Sequence, residues 1–132
     1  MIGIDTNILL RFLIDDDPAQ NAMARRFMSE RTGDDPAYVS AIVLAETVWV
    51  LRRRLNYPLP RIVESICALL TVAELTVEHA DELDILLADH DGSVADVVDY
   101  LVAWAGFDAG CQKTMTFDRK AARRVPGMEL LA

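Results

Sequence analysis

The chain has 132 residues, 52% of them hydrophobic and 26% charged, with a formal net charge of -8. That length suits one domain able to bury roughly two-thirds of the surface its unfolded form exposes. Two cysteines, Cys67 and Cys111, with no CxxC and no adjacent histidine, argue against a disulfide framework and a structural zinc site and fit a reducing cytosol. No apolar run approaches the ~20 residues of a membrane span and no basic leader precedes the first acid, so a cytoplasmic protein is expected.

In chain order, Ile2 to Asp5 reads as a short buried strand and Asn7 to Leu13 as a short helix. Pro18 to Glu30 is a second helix, with Asp17 as N-cap and Pro18 at the first helical position. Thr32 to Pro36 is a loop, Tyr38-Val39 a brief strand and Ser40 an N-cap. Residues 41 to 55 form a helix that is apolar on nearly all sides until Arg52, hence expected to be buried. Tyr57-Pro58-Leu59-Pro60 breaks it and starts a helix running to about Leu70. Val72 to Val77 reads as a strand, His79 to Ala88 as a helix, Asp91-Gly92-Ser93 as a turn and residues 94 to 107 as a long helix. Thr114 to Phe117 and Met128 to Leu131 close the chain as strands with a small helix between them. No internal repeat, linker or low-complexity stretch interrupts this order.

Strands separated by helices imply parallel pairing with helices on both sheet faces, that is, an α/β fold of three layers, α/β/α, around a central parallel sheet of four to five strands. Ligands of such sheets bind beyond the carboxyl ends of the strands. Five acids interrupt apolar runs in this sequence: Asp5, Glu46, Asp96, Asp99 and Asp118. Asp5 and Asp118 fall at the ends of the first and fourth strands, and Glu46 and Asp99 on helices whose N-terminal halves face the same edge. A carboxylate in apolar surroundings is costly unless paired, hydrogen-bonded or bound to a metal, and a gathered set repels itself unless a hard divalent cation neutralises it. Few basic residues lie near these acids, so a Mg²⁺ or Mn²⁺ site is expected. The net charge speaks against nucleic acid, yet the acids crowd into Asp15-Asp16-Asp17 and Glu74 to Asp91, while the bases gather at Arg52-Arg53-Arg54 and from Arg119 to Arg124. Local basic patches remain.

At these residues the sequence resembles the PIN-domain nucleases, and within them the VapC toxins of bacterial toxin–antitoxin pairs. The matching segments are Ile4-Asp5-Thr6-Asn7, Ser40 to Glu46, Asp96 to Ala103, and Thr116-Phe117-Asp118-Arg119-Lys120-Ala121-Ala122, in that order over essentially the whole chain. The resemblance implies a single PIN-like domain over residues 1–132 with an acidic site at Asp5, Glu46, Asp99 and Asp118, and Asp96 as an additional acid one helical turn before Asp99. It further implies a ribonuclease that uses Mg²⁺ or Mn²⁺ to activate water for phosphodiester hydrolysis, leaving 3′-hydroxyl and 5′-phosphate ends. A homodimer held in check by a VapB-like antitoxin is part of the same implication.

Each residue also has a plainer reading. Ser93-Val94-Ala95-Asp96 matches a capping box, so Asp96 is either a helix cap or a ligand. Asp5 fits a turn and Asp118 an N-cap, while Glu46, sharing its helix face with Ile42, Val43, Trp49 and Val50, fits a buried structural carboxylate paired with Arg53. Thr6, Asn7 and Thr116 offer hydrogen bonds to a carboxylate or phosphate oxygen, and Thr116 is also an ordinary strand residue. Arg119/Arg123 and Lys120/Arg124, at i,i+4, make a basic stripe beside Asp118 that suits phosphate contact or a solvated face. Arg52, Arg53 and Arg54 spread around their helix and fit its C-terminal dipole. His79 and His90 read as isolated surface residues, Trp49 and Trp104 as core or interface. A receiver-like phosphoacceptor module also clusters acids with Mg²⁺, but it needs an aspartate ending a central strand, and Val72 to Val77 ends without one. A catalytically silent PIN-like module binding RNA or protein is the other alternative.

Overall fold

Short strands alternate with helices along this chain, and the strands pair in parallel. The computed structural model describes residues 1–88 and 97–131, and these fall into two units, Met1–Asp89 and His90–Ala132. The expected turn at 91–93, the first residues of the long helix, His90 and Asp96 lie outside the described residues.

In the first unit, β1 (Ile2–Gly3), β2 (Ala37–Val39) and β3 (Leu75–Val77) form a parallel sheet in the order β1-β2-β3. The middle strand is therefore β2, which leads into Ser40. β1 is shorter and more open than expected, with Ile2 41% exposed. It lies at an end of the sheet order, and Asp5 already belongs to the cap of the next helix. β3 loses the expected residues 72–74 to a turn: the Val72 N–H donates to Leu69 O and the Leu75 N–H to Val72 O, each at 3.2 Å.

Between β1 and β2 come α1 (Thr6–Leu13) and α2 (Pro18–Ser29). The two helices are tied by polar side chains. The buried Asn21 Nδ2 donates to Arg11 O at 2.8 Å, satisfying a carbonyl of the last turn of α1. Arg11 donates to Gln20 Oε1 and Asp16 Oδ1 at 2.6 and 2.8 Å. α3 (Ala41–Trp49) starts at the Ser40 cap as expected and then departs from expectation, because residues 50–54 continue as a π-helical turn, with the Leu55 N–H bonded to Val50 O at 3.1 Å. Asn56, with φ 54, ends it in the left-handed region that asparagine tolerates. Nor is this helix buried all round: Ile42 is 82% and Trp49 54% exposed.

α4 (Leu59–Leu70) buries the stripe Ile62, Val63, Ile66 and Leu69 and packs against β3 and α5 (Ala80–Ala88). The interior of this unit is made of large aliphatic side chains, among them Leu9, Val39, Leu44, Leu51, Leu83 and Leu87, none more than 2% exposed.

The second unit holds α6 (Val97–Asp108), β4 (Thr114–Thr116), α7 (Arg119–Arg124) and β5 (Met128–Leu130). β4 and β5 pair in parallel, Thr114 opposite Met128 and Thr116 opposite Leu130. The expected sheet of four to five strands is thus met by five strands arranged as a sheet of three and a sheet of two among the described residues. Ala103, Ala121 and Val125 form a small core here, covered by Tyr100 and Met128. α6 crosses β4 closely at Gly106, where a Cβ would stand 2.9 Å from Thr114 Oγ1.

Candidate functional site

Parallel register places the candidate residues of the first unit. Ile2 is opposite Ala37 and Gly3 opposite Tyr38, so Asp5 and Ser40, each two residues further on, share the carboxyl edge of the sheet. Val39 is opposite Val77, which brings Glu78 to the same edge.

Asp5 is the N-cap of α1, its Oδ1 accepting from the Ile8 N–H at 3.0 Å. Its other oxygen has no partner among the described residues, and the side chain is exposed rather than enclosed by apolar neighbours. Thr6 is buried and Asn7 exposed, so of these two it is Asn7 that faces solvent beside Asp5. Glu46 stands about 9 Å along α3 from Ser40. It is exposed and makes no hydrogen bond or ion pair among the described residues, so the suggested pairing with Arg53 is not present. The physical reason is that Leu44, Thr47 and Val48 take the inward face of α3, leaving Glu46 with Ile42 and Trp49 on the open one.

The start of α3 is fixed twice. Ser40 Oγ accepts from the Val43 N–H at 3.1 Å, and Glu78 Oε1 accepts from the Ala41 N–H at 2.8 Å. The Glu78 carboxylate also acts on Tyr38, whose phenol is pushed above its ordinary 10.0 first by burial and then by that negative charge. Sequence reasoning left Glu78 in the acid-rich stretch from Glu74 to Asp91. The only signal for it was its place directly after a strand. His79, expected on the surface, has its side chain 11% exposed and lies 4.0 and 3.8 Å from Glu78 and Glu82.

The second unit follows the same plan within itself. Asp118 is the N-cap of α7, its Oδ1 accepting from the Lys120 and Ala121 N–H groups at 2.8 and 3.1 Å. Thr116 holds that turn, its Oγ1 accepting from the Asp118 N–H at 3.0 Å. Asp118 is exposed, with its second oxygen unpartnered among the described residues. Asp99 is half-buried in the first described turn of α6. Tyr100, next to it, donates to Arg124 O at 3.0 Å and so links α6 to the end of α7, while its ring lies 5.9 Å from Trp104. Trp104 is half-buried, as its apolar surroundings suggested; Trp49 is not a core residue.

The basic stripe divides. Arg119 and Arg123, one turn apart, line a shallow concavity with Met128 and Glu129, whereas Lys120 and Arg124 are outside it. All four are exposed. Arg52, Arg53 and Arg54 are exposed in the π-helical turn, at the C-terminal end of α3 as expected from the dipole.

Each of these acids, taken in its own unit, offers the oxygen chemistry that a hard divalent cation takes. Asp5 and Asp118 are anchored through one carboxylate oxygen and present the other, and the Glu46 carboxylate is wholly unspent among the described residues. The reason for expecting a metal is thereby corrected: Asp5, Glu46 and Asp118 are not acids trapped in an apolar interior but exposed carboxylates at helix starts and on an outward helix face.

No curated protein and no solved structure matches this chain. Among the described residues, no helix is long and apolar enough to cross a membrane. The family model of the PIN domain matches residues 2–127, a span that takes in Asp5, Glu46, Asp99 and Asp118 with the strands and helices that carry them, and the chain belongs to the PIN-domain family.

Proposed function

We propose that the chain is a divalent-metal-dependent endoribonuclease, the toxin of a VapBC-type toxin–antitoxin pair, built as a single PIN-like domain over residues 1–132. PIN domains are in general nucleases that bind divalent metal, and the match over residues 2–127 is the observation that carries this reading. Asp5, Glu46, Asp99 and Asp118 hold Mg²⁺ or Mn²⁺, with Asp96 as a further acid. The open oxygens of Asp5, Glu46 and Asp118 support that assignment. The bound cation supplies Lewis-acid activation of water and neutralises charge at the scissile phosphate.

The protein's own groups position the reactants. The caps at Ile8 and at Lys120 and Ala121 fix the two aspartates, and the doubly capped start of α3 fixes the helix that carries Glu46. Asn7, exposed beside Asp5, and Thr116 hold phosphate or ribose oxygens near them, whereas Thr6 is buried. Arg119, Lys120 and Arg123 contact the RNA backbone, with the concavity at Arg119 and Arg123 in support. The apolar Ile42 and Trp49, exposed on the helix of Glu46, support a homodimer. A VapB-like antitoxin masks the site in the cytoplasm.

Incubating the purified, antitoxin-free protein with single-stranded and structured RNA, with and without Mg²⁺ or Mn²⁺, tests this reading. Metal-dependent cleavage leaving 3′-hydroxyl and 5′-phosphate ends is expected. Binding of RNA without cleavage under any metal would identify a catalytically silent module instead.

A further inference from the structure

The π-helical turn that ends α3 turns Leu51 inward, 2% exposed, and leaves Arg53 and Arg54 in solvent. Such turns are rare and recur at functional sites. Here the chain folds back on the turn, the Tyr57 N–H donating to Leu51 O at 2.8 Å, and α4 packs against it. On α4 the Arg61 guanidinium lies over the Tyr57 ring, 4.0 Å from its centre. A guanidinium held over a ring keeps its N–H edge for another partner.

Elsewhere in this unit arginine is spent locally: Arg11, Arg25, Arg26 and Arg31 each meet an oxygen of a neighbouring side chain. Arg53, Arg54 and Arg61 have no acceptor or carboxylate among the described residues. The dipole of α3 explains the place of the first two but not their number, since a helix C-terminus carries about half a negative charge and Arg53 and Arg54 bring two positive ones. In a chain of net charge -8 this is a local surplus of positive charge.

We propose that Arg53, Arg54 and Arg61 grip the phosphates of single-stranded RNA that flanks the nucleotide at the acids; the proposal rests on the ribonuclease reading above. The planar fork of arginine meets two phosphate oxygens at once, and a fork already held by Tyr57 loses less freedom on binding. Arg53 stands about 10 Å beyond Glu46 along the helix, so the phosphate it meets belongs to another nucleotide than the one at Glu46. The grip reads no base edge and is therefore indifferent to sequence.

The test measures binding of the full chain to the single-stranded RNA dodecauridylate over a range of salt, in chelator so that nothing is cut. Arg53→Gln with Arg54→Gln should flatten the log–log salt slope by roughly 0.7 per lost contact, which at about 0.1 M salt is a loss of about 5-fold for each. Arg61→Gln should cost a similar factor. Tyr57→Phe, which keeps the ring, should bind as the wild type does. Tyr57→Leu, which frees Arg61 without removing its charge, should weaken binding and leave the slope unchanged. Arg25→Gln with Arg26→Gln, an exposed pair of equal charge, is the control and should leave affinity within about 2-fold. An unchanged slope in the Arg53 and Arg54 variant, or an equal loss in the control, overturns the proposal. So does a loss of self-association in that variant with RNA affinity kept, read by sedimentation, which would assign these arginines to the acids of a second copy. RNA binding that follows the expected pattern without cleavage in Mg²⁺ would defeat the nuclease reading and leave the grip standing; cleavage with RNA affinity unaltered in the variants would do the reverse.

Discussion

The two units place their acids by one device and support them with different interiors. In the first, Asp5 caps α1 at the carboxyl edge of the β1-β2-β3 sheet, above a core of large aliphatic side chains such as Leu9, Leu44 and Leu83. In the second, Asp118 caps α7 after β4, and the core cluster beneath is Ala103, Ala121 and Val125. A capping aspartate needs only the three residues that follow it, so its position is encoded locally whatever the interior contributes. The difference separates two roles open to one carboxylate: an acceptor for helix amides, which asparagine also provides, and the proposed anionic ligand, which it does not.

That separation can be broken most sharply by Asp5→Asn and Asp118→Asn. Both variants should keep their caps and melt close to the wild-type temperature, while RNA cleavage falls at least ~100-fold, since loss of a metal-site anion exceeds the 10- to 100-fold typical of its supporting residues. Asp99→Asn belongs to the same set. Full cleavage by purified Asp5→Asn and Asp99→Asn would remove these acids from the site, and a large drop in melting temperature would mean the carboxylate charge, not the cap, holds the turn.

The interiors themselves give the next contrast. Leu44, 1% exposed, should cost about 2–5 kcal/mol as Leu44→Ala. Val125, 2% exposed, should cost less as Val125→Ala, about 1–3 kcal/mol, because fewer atoms leave a small cluster. Denaturant titration of both variants measures the two costs. An equal or inverted order would show that the small cluster carries more of the stability than its side chains suggest.

The locally encoded features are those the sequence already made legible. Asp17 and Ser40 cap the helices expected of them, because a cap is a contact between residues three apart, and Pro18, Pro58 and Pro60 mark helix starts through their fixed φ. Parallel pairing followed from the alternation of strands and helices. Long-range placements were not legible. Glu78 reaches Ala41 across 37 residues of sequence, and nothing near Glu78 announces that partner. The exposure of Ile42 and Trp49 is likewise not legible, because an all-apolar helix reads as buried whichever face is covered. How Arg11, Asp16, Gln20 and Asn21 lash α1 to α2 is a geometry absent from any periodicity. Open oxygens on Asp5 and Asp118 likewise emerged only once their caps were seen to use a single oxygen each.

Substrate holding can be set against metal holding within the second unit. If Arg119 and Arg123 meet phosphates, Arg119→Gln with Arg123→Gln should weaken RNA binding across sequences and flatten its log–log salt dependence by roughly 0.7 per lost contact on single strands. Mn²⁺ affinity, read by calorimetry, should stay near wild type, because neither side chain is an oxygen ligand. An unchanged salt slope would return the stripe to a solvated face.

The smallest effect lies at the start of α3, where Glu78 serves both the Ala41 amide and the Tyr38 phenol. Tyr38 titrates above 10.0 in the folded chain, chiefly because burial disfavours the phenolate and secondly because the Glu78 carboxylate repels it. A phenol held protonated by the fold contributes stability that is complete below 10.0 and is lost as pH rises through the folded value, since the unfolded chain releases its proton first. Glu78→Gln retains an amide oxygen for Ala41 but deletes the negative charge that acts on Tyr38. The tyrosinate absorbance assigned to Tyr38, by difference from Tyr38→Phe, should therefore move toward 10.0 in Glu78→Gln without reaching it, the burial contribution remaining. Because the folded and unfolded titrations then differ less, Glu78→Gln should lose less stability above pH 10.0 than the wild type does, whereas Glu78→Leu, which also strips the α3 cap, should be less stable at every pH. A Tyr38 titration that does not move in Glu78→Gln would leave burial as its whole cause and detach the carboxylate from the phenol.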